Sequence, residues 1–166
     1  MSNFSNLLGL EYVAGKHDCY SIVRQYYEQN LGVRLRNYAR PDRFWEDENL
    51  DLYQMFTLEG AYAVHDNSIE IGDVILVSLL TPCAAHALIV VGDNQVLHHP
   101  PGQLSCLDSL RPRWMNRALA TIRHPGAKPK DPPKQEVLHL HEVIDAQLFR
   151  DPGFQETVAR VLGSGR

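Results

Sequence analysis

Four short runs in the second half of the chain constrain its fold most. They are DVILVSL (73–79), HALIVVG (86–92), QVLHH (95–99) and RALATIRH (117–124). Each is rich in β-branched residues and bounded by turn residues, the pattern of strands rather than helices. The first half reads differently. From Asp18 onward, Ile22, Val23, Tyr26 and Tyr27 recur at helical spacing, Asp18 is a natural N-cap, and Gly32 is a natural stop, which predicts an amphipathic helix over 18–31. A short helix is expected within 2–10, and helical patches near 42–48 and 55–63. Helices first and then several strands predict an α+β domain with an antiparallel sheet.

The composition changes after His124. PGAKPKDPPKQE is rich in Pro and Lys and reads as a linker. The expected organisation is a domain over 1–125, a linker over 126–136, and a C-terminal helical tail over 137–166 that serves for docking. In that tail, Phe154, Val158, Val161 and Leu162 form one stripe. A chain of 166 residues is long enough for one domain with a real core. A net charge of -4 argues against a nucleic-acid partner. The one dense basic stretch, Arg34 to Arg43, is soon followed by Asp42, Glu46, Asp47 and Glu48 and reads as a solvated face. No apolar run is long enough to cross a membrane. The N-terminus has no basic region followed by a cleavable apolar stretch, so synthesis in the cytoplasm is expected. Three widely spaced cysteines (Cys19, Cys83 and Cys106) are expected to be free thiols.

Chemistry concentrates at Cys19 and at two histidines. Cys19 falls in the first turn of the predicted helix, where the helix end favours a thiolate. A cysteine on an apolar helix face is more often a small buried hydrophobe. Its place at a helix start, and a hairpin that carries a candidate base, shift the balance toward a nucleophile. A nucleophilic cysteine needs a base, and the base needs an orienting group. His86 opens one predicted strand, and His98 and His99 close the next, around Gly92-Asp93-Asn94. If these three residues form the loop, His86 and His98 share a sheet face. If only Asp93-Asn94 turn, His99 replaces His98 there. The relay would be Cys19 as nucleophile, His86 as base and His98 as its orienting partner. A zinc reading competes through Cys83 and His86, but no second tight pair stands beside them. Cys83 and Cys106 are then plain packing residues.

The segments DCYSIVRQYY, IGDVILVSL and HALIVVGDNQVLHH resemble, in that order, the NlpC/P60 family of papain-like cysteine peptidases. In that family an Asp-Cys pair opens a helix, a Gly-Asp pair opens a strand, and a catalytic His opens the next. A polar residue, often His, ends the strand after it. The twelve positions between His86 and His98 match the family spacing and favour His98 over His99. Tyr12 corresponds to the Tyr of the family's opening loop, although the loop here is shorter and lacks Gly-Gly, and DCYS replaces the usual DCSG. The resemblance covers roughly 5–125 and is nearer to the domains carried by phage tail-assembly and tail-tip proteins.

This resemblance implies a papain-like α+β fold and hydrolysis of peptidoglycan stem peptides at a D-Glu–diamino acid bond. A thioester on Cys19 would be the intermediate, and no metal or organic cofactor would be needed. Tyr12, Asp18 and the Cys19 backbone N–H would assist at the substrate or oxyanion. It further implies other tail proteins as partners, assembly in the host cytoplasm, carriage in the virion tail and action at the cell wall. An assembly protein on the same fold, with little or no catalysis, is the alternative. Acyl transfer by the same chemistry is a third reading, and a free-standing lysis enzyme a fourth. Asp18 raises a physical difficulty, because its charge beside Cys19 opposes a thiolate.

Overall fold

The computed structural model describes residues 3–66 and 68–127. They lie in the first of two units into which the chain divides, Met1–Lys130 and Asp131–Arg166. The readings made for the tail, and for the linker beyond Ala127, lie outside the described residues.

The predicted helix is present as α1 (Cys19–Tyr26), continued by a single wider π-type turn over Tyr27–Leu31. Asp18 caps its start, its side chain accepting from the Ser21 N–H, and Gly32 ends it in the left-handed conformation at φ 70°. Tyr20, Ile22, Val23 and Tyr26 are fully buried. Full burial contributes about 1.5–3 kcal/mol for each large apolar side chain, so this face anchors the helix. The helix read within 2–10 reduces to one 3-10 turn at Ser5–Leu7. The patch near 42–48 is a 3-10 turn at Phe44–Glu46. The patch near 55–63 is displaced: α2 is Leu52–Leu58, capped by Asp51, and Tyr62–Ala63 is extended.

Among the described residues, six strands form one sheet: β1 (Tyr62–Ala63), β2 (Val74–Val77), β3 (His86–Gly92), β4 (Gln95–His98), β5 (Cys106–Ser109) and β6 (Ala118–Arg123). Their order is β1-β6-β2-β3-β4-β5, with every pairing antiparallel. All four predicted strands are present; β1 and β5 are additional. β5 was missed because none of its four residues, CLDS, is β-branched or aromatic, and Asp108 disfavours a strand.

Both faces of the sheet are covered, which is why VILV and HALIVV read as continuous apolar runs rather than alternating ones. Val74, Leu76, Ala87, Ile89, Val91 and Leu97 join the core that includes α1 and α2 residues. Ile75, Val77, Leu88, Val90 and Val96 pack instead with Leu110 and Trp114. Tyr27 fastens the turn after α1 to the entry of β2, donating its hydroxyl to the Gly72 carbonyl at 2.7 Å.

Candidate active site

Cys19 is the first residue of α1, and α1 packs on β3 and β4. Cys19 is 1% exposed. The Ala87 N–H, one residue after His86, and the Tyr20 N–H stand close enough to the sulfur to favour its anion. Contrary to the expected thiolate, the thiol is held protonated. Burial first and the Asp18 charge second push it up to about 12, against the two N–H groups and Arg40, which act the other way. A helix of eight residues supplies too little field to overcome full desolvation of a sulfur anion.

The hairpin between β3 and β4 decides which histidine meets His86. The turn is the two-residue one, since Gly92 pairs with Gln95, and Asn94 takes φ 50°. That turn alone would bring His99 to the His86 face. A β-bulge intervenes, however: the register shifts between Val90 and Gly92, so Val90 pairs with Val96 and Leu88 with His98. The extra residue, Val91, restores His98. His86 Nε2 and His98 Nδ1 are 3.0 Å apart, and both side chains are buried. Among the described residues, His86 Nδ1 is buried with no hydrogen-bond partner. Burial, with His98 and His99 nearby, lowers the His86 pKa well below its ordinary value. Burial likewise lowers His98 to about 4, while Asp108 pulls the other way. The pair is neutral at pH 7. The Trp114 ring packs on both, with centroids 5.6 Å from His86 and 5.0 Å from His98.

Asp18 does not face the thiol as a bare charge. Its carboxylate accepts from the Gly15 N–H at 2.6 Å, the Ser21 N–H at 2.8 Å and the Arg40 Nε–H at 2.8 Å. Arg40 overturns the reading of 34–43 as a wholly solvated face. Its side chain and that of Asp18 are both fully buried, whereas Arg34, Arg36 and Arg43 are exposed. Arg40 also bonds to Ser21 Oγ, Asn37 Oδ1 and the Tyr38 carbonyl, and lies 4.7 Å from the Tyr20 ring centroid. Nothing local in ARPDRF separates it from its exposed neighbours.

Tyr12 stands close enough to Cys19 and Asp18 for both to raise its pKa, after burial as the largest cause. Its hydroxyl is buried without a partner among the described residues, and its ring meets His99 and Trp45 edge-on at 5.2 Å and 5.4 Å. His99 turns away from the pair, its Nε2 3.0 Å from the Gln103 carbonyl. Cys83 places its sulfur 3.1 Å from the Glu48 carbonyl. The sulfur of Cys106 lies 3.6 Å from His98 Nε2. All three thiols are free. No group of three metal-ligating side chains occurs among the described residues.

α1 thus sets a helix-start thiol, with a phenol nearby, against the start of β3, which carries one member of a neutral, buried imidazole pair. The chain is 32% identical over 120 residues to tail tip assembly protein K of Escherichia phage lambda, which covers 72% of this chain and 59% of that protein. It is 29% identical over 119 residues to the protein of the same name in Escherichia phage N15, covering 71% of this chain and 49% of that one. It therefore spans only part of these relatives' length. A Staphylococcus aureus structure described as similar to a lipoprotein of the NLP/P60 family superposes with a TM-score of 0.51 at 16% identity. That match covers 71% of this chain and 37% of that one, and it speaks to the fold. The NlpC/P60 family profile matches residues 9–123, most of the chain and all of the site just described, so this protein belongs to the NlpC/P60 family.

Proposed function

We propose that this chain is a phage tail cysteine peptidase that hydrolyses peptidoglycan stem peptides, with the bond between D-Glu and a diamino acid as its target. The observation that carries this reading is the 3.0 Å His86–His98 contact. It leaves His86 Nδ1 buried and unpartnered beside the β3 start, where the Ala87 N–H meets the Cys19 sulfur. Cys19 would attack the scissile carbonyl as His86 Nδ1 takes the thiol proton. His86 would then give that proton to the leaving amine, producing a thioester. Water, deprotonated by His86, would cleave the thioester and restore the thiol. His98 would orient His86 and spread the charge that develops on it. The Cys19 backbone N–H and the Tyr12 hydroxyl are suited to the oxyanion. Asp18 is engaged by three donors, which fits a role in fixing the helix start rather than touching substrate.

The phage lambda and N15 relatives, both named tail tip assembly proteins, support a place in the tail, with other tail proteins as partners. On this reading the chain is assembled in the host cytoplasm and acts at the wall of the next cell. The same names, together with a cysteine only 1% exposed whose thiol is held protonated, favour a second reading: an assembly protein with little turnover.

Incubation with defined stem peptides, read by mass spectrometry beside Cys19→Ala, separates the two. Cleavage by the native chain and none by Cys19→Ala is the expected result, and the fragment masses give the bond. No cleavage by either leaves the assembly reading.

A further inference from the structure

His98 touches His86 through Nδ1, so what surrounds its other nitrogen matters. Neutral imidazole carries one N–H, and the 3.0 Å contact with His86 can run in either direction. If His98 carries its proton on Nδ1, it donates to His86 Nε2. The His86 proton then sits on Nδ1, and His86 cannot accept from the thiol. If His98 carries its proton on Nε2, His86 Nε2–H donates to it and His86 Nδ1 keeps its lone pair. The Nε2 side of His98 therefore decides whether His86 is a base.

Two groups stand there, both on β5 and on the same sheet face. Cys106 pairs directly with His98, its sulfur 3.6 Å from Nε2, and a thiol can donate. Asp108 pairs with Val96, one step diagonal, with Oδ2 3.8 Å from His98 Nε2. A carboxylate can only accept. Asp108 is itself held at both oxygens, by the Ser109 N–H at 2.7 Å to Oδ1 and the Trp114 indole N–H at 2.8 Å to Oδ2. Arg113 approaches Oδ2 at 3.5 Å with its guanidinium 4.7 Å from the Trp114 ring centroid. Burial opposes ionisation of Asp108. The Trp114 and Ser109 donors, with His98 and Arg113 beside it, still hold the carboxyl below its usual range.

We propose that Asp108, aimed by Trp114, is a positioning residue that keeps the His98 proton on Nε2 and so leaves His86 Nδ1 free to act as base. This rests on the Cys19–His86–His98 reading of the site. Asp108 touches neither substrate nor thiol. It extends the relay by one member, and its charge also favours the imidazolium that forms on His86 when the thiol proton arrives.

The test is the His98 tautomer, read from long-range ¹H–¹⁵N correlations of the full chain labelled at histidine, at neutral pH. It is accompanied by the rate at which iodoacetamide alkylates Cys19, resolved by peptide mapping. The native chain should show His98 with Nε2–H. Asp108→Asn should populate Nδ1–H and slow Cys19 alkylation by about a hundredfold, the low end of what a general base contributes. Asp108→Glu should keep much of the native tautomer, and Cys106→Ala should change neither readout. His98 found as Nδ1–H in the native chain, or an Asp108→Asn chain with native tautomer and alkylation rate, overturns the proposal. A native tautomer that responds as expected, in a chain that cleaves no stem peptide, upholds it and removes the peptidase reading instead.

Discussion

Asp18 and Arg40 form the kind of contact that governs a site without entering its chemistry. A carboxylate next to a nucleophilic sulfur is unfavourable when bare, and here it is matched by a guanidinium with no exposed surface. Breaking a buried pair by removing one partner is expensive because the other charge stays behind. Arg40→Leu should therefore lower stability by about 3–5 kcal/mol, read from urea unfolding midpoints. Arg40→Lys should recover little, since an ammonium cannot serve Asp18, Ser21, Asn37 and the Tyr38 carbonyl from one fork. The double variant Asp18→Asn, Arg40→Leu should be more stable than Arg40→Leu alone. Unchanged midpoints for Arg40→Leu would mean that the pair is not desolvated in solution.

The elements explain how neighbouring residues reach opposite fates. His98 and His99 are adjacent, yet one meets His86 and the other meets Gln103. A two-residue turn preceded by one bulged residue sets that choice, and Asn94 holds the turn. Its φ of 50° is left-handed, its side chain accepts from the Arg111 N–H at 2.8 Å, and its carbonyl accepts from the Leu110 N–H. Asn94→Val forces a β-branched residue into that region and should cost about 1–2 kcal/mol for the backbone alone. Asn94→Gly keeps the conformation and gives up only the side-chain bond. Its loss of stability in the same unfolding measurement should be the smaller of the two. The reverse order would show that the turn does not keep this conformation.

At the scale of the molecule, a sheet buried on both faces lets α1 and the Trp114 segment approach the same strand ends from opposite sides. Cys19 arrives with the first and the surroundings of the histidine pair with the second. The core also continues past residue 125, since Ala127 is 8% exposed and its carbonyl would stand 3.3 Å from a Cβ placed on Gly72. A chain ending at Lys130 should therefore fold and keep whatever peptidase activity the full chain has. On the proposal that the remainder docks on tail proteins, the shortened chain should fail to enter particles, as measured by complementation and immunoblotting of purified virions. Loss of folding and incorporation together would count against a docking role.

Patterns local in the sequence carried the four main strands, the α1 start at Asp18 and Cys19, and the three candidates Cys19, His86 and His98. Periodicity and capping depend on neighbours along the chain, so they are legible without a structure. His98 over His99 was open to turn chemistry, and only the family spacing favoured it; the bulge at Val91 decided the geometry. Arg40, Asp108 and Trp114 were invisible as site residues, because their roles come from partners 22, 10 and 16 to 28 positions away in sequence. The protonation state of Cys19 belongs with them. A helix start argues for a thiolate, but desolvation is set by everything packed around the sulfur, and that quantity exists only once the chain has folded.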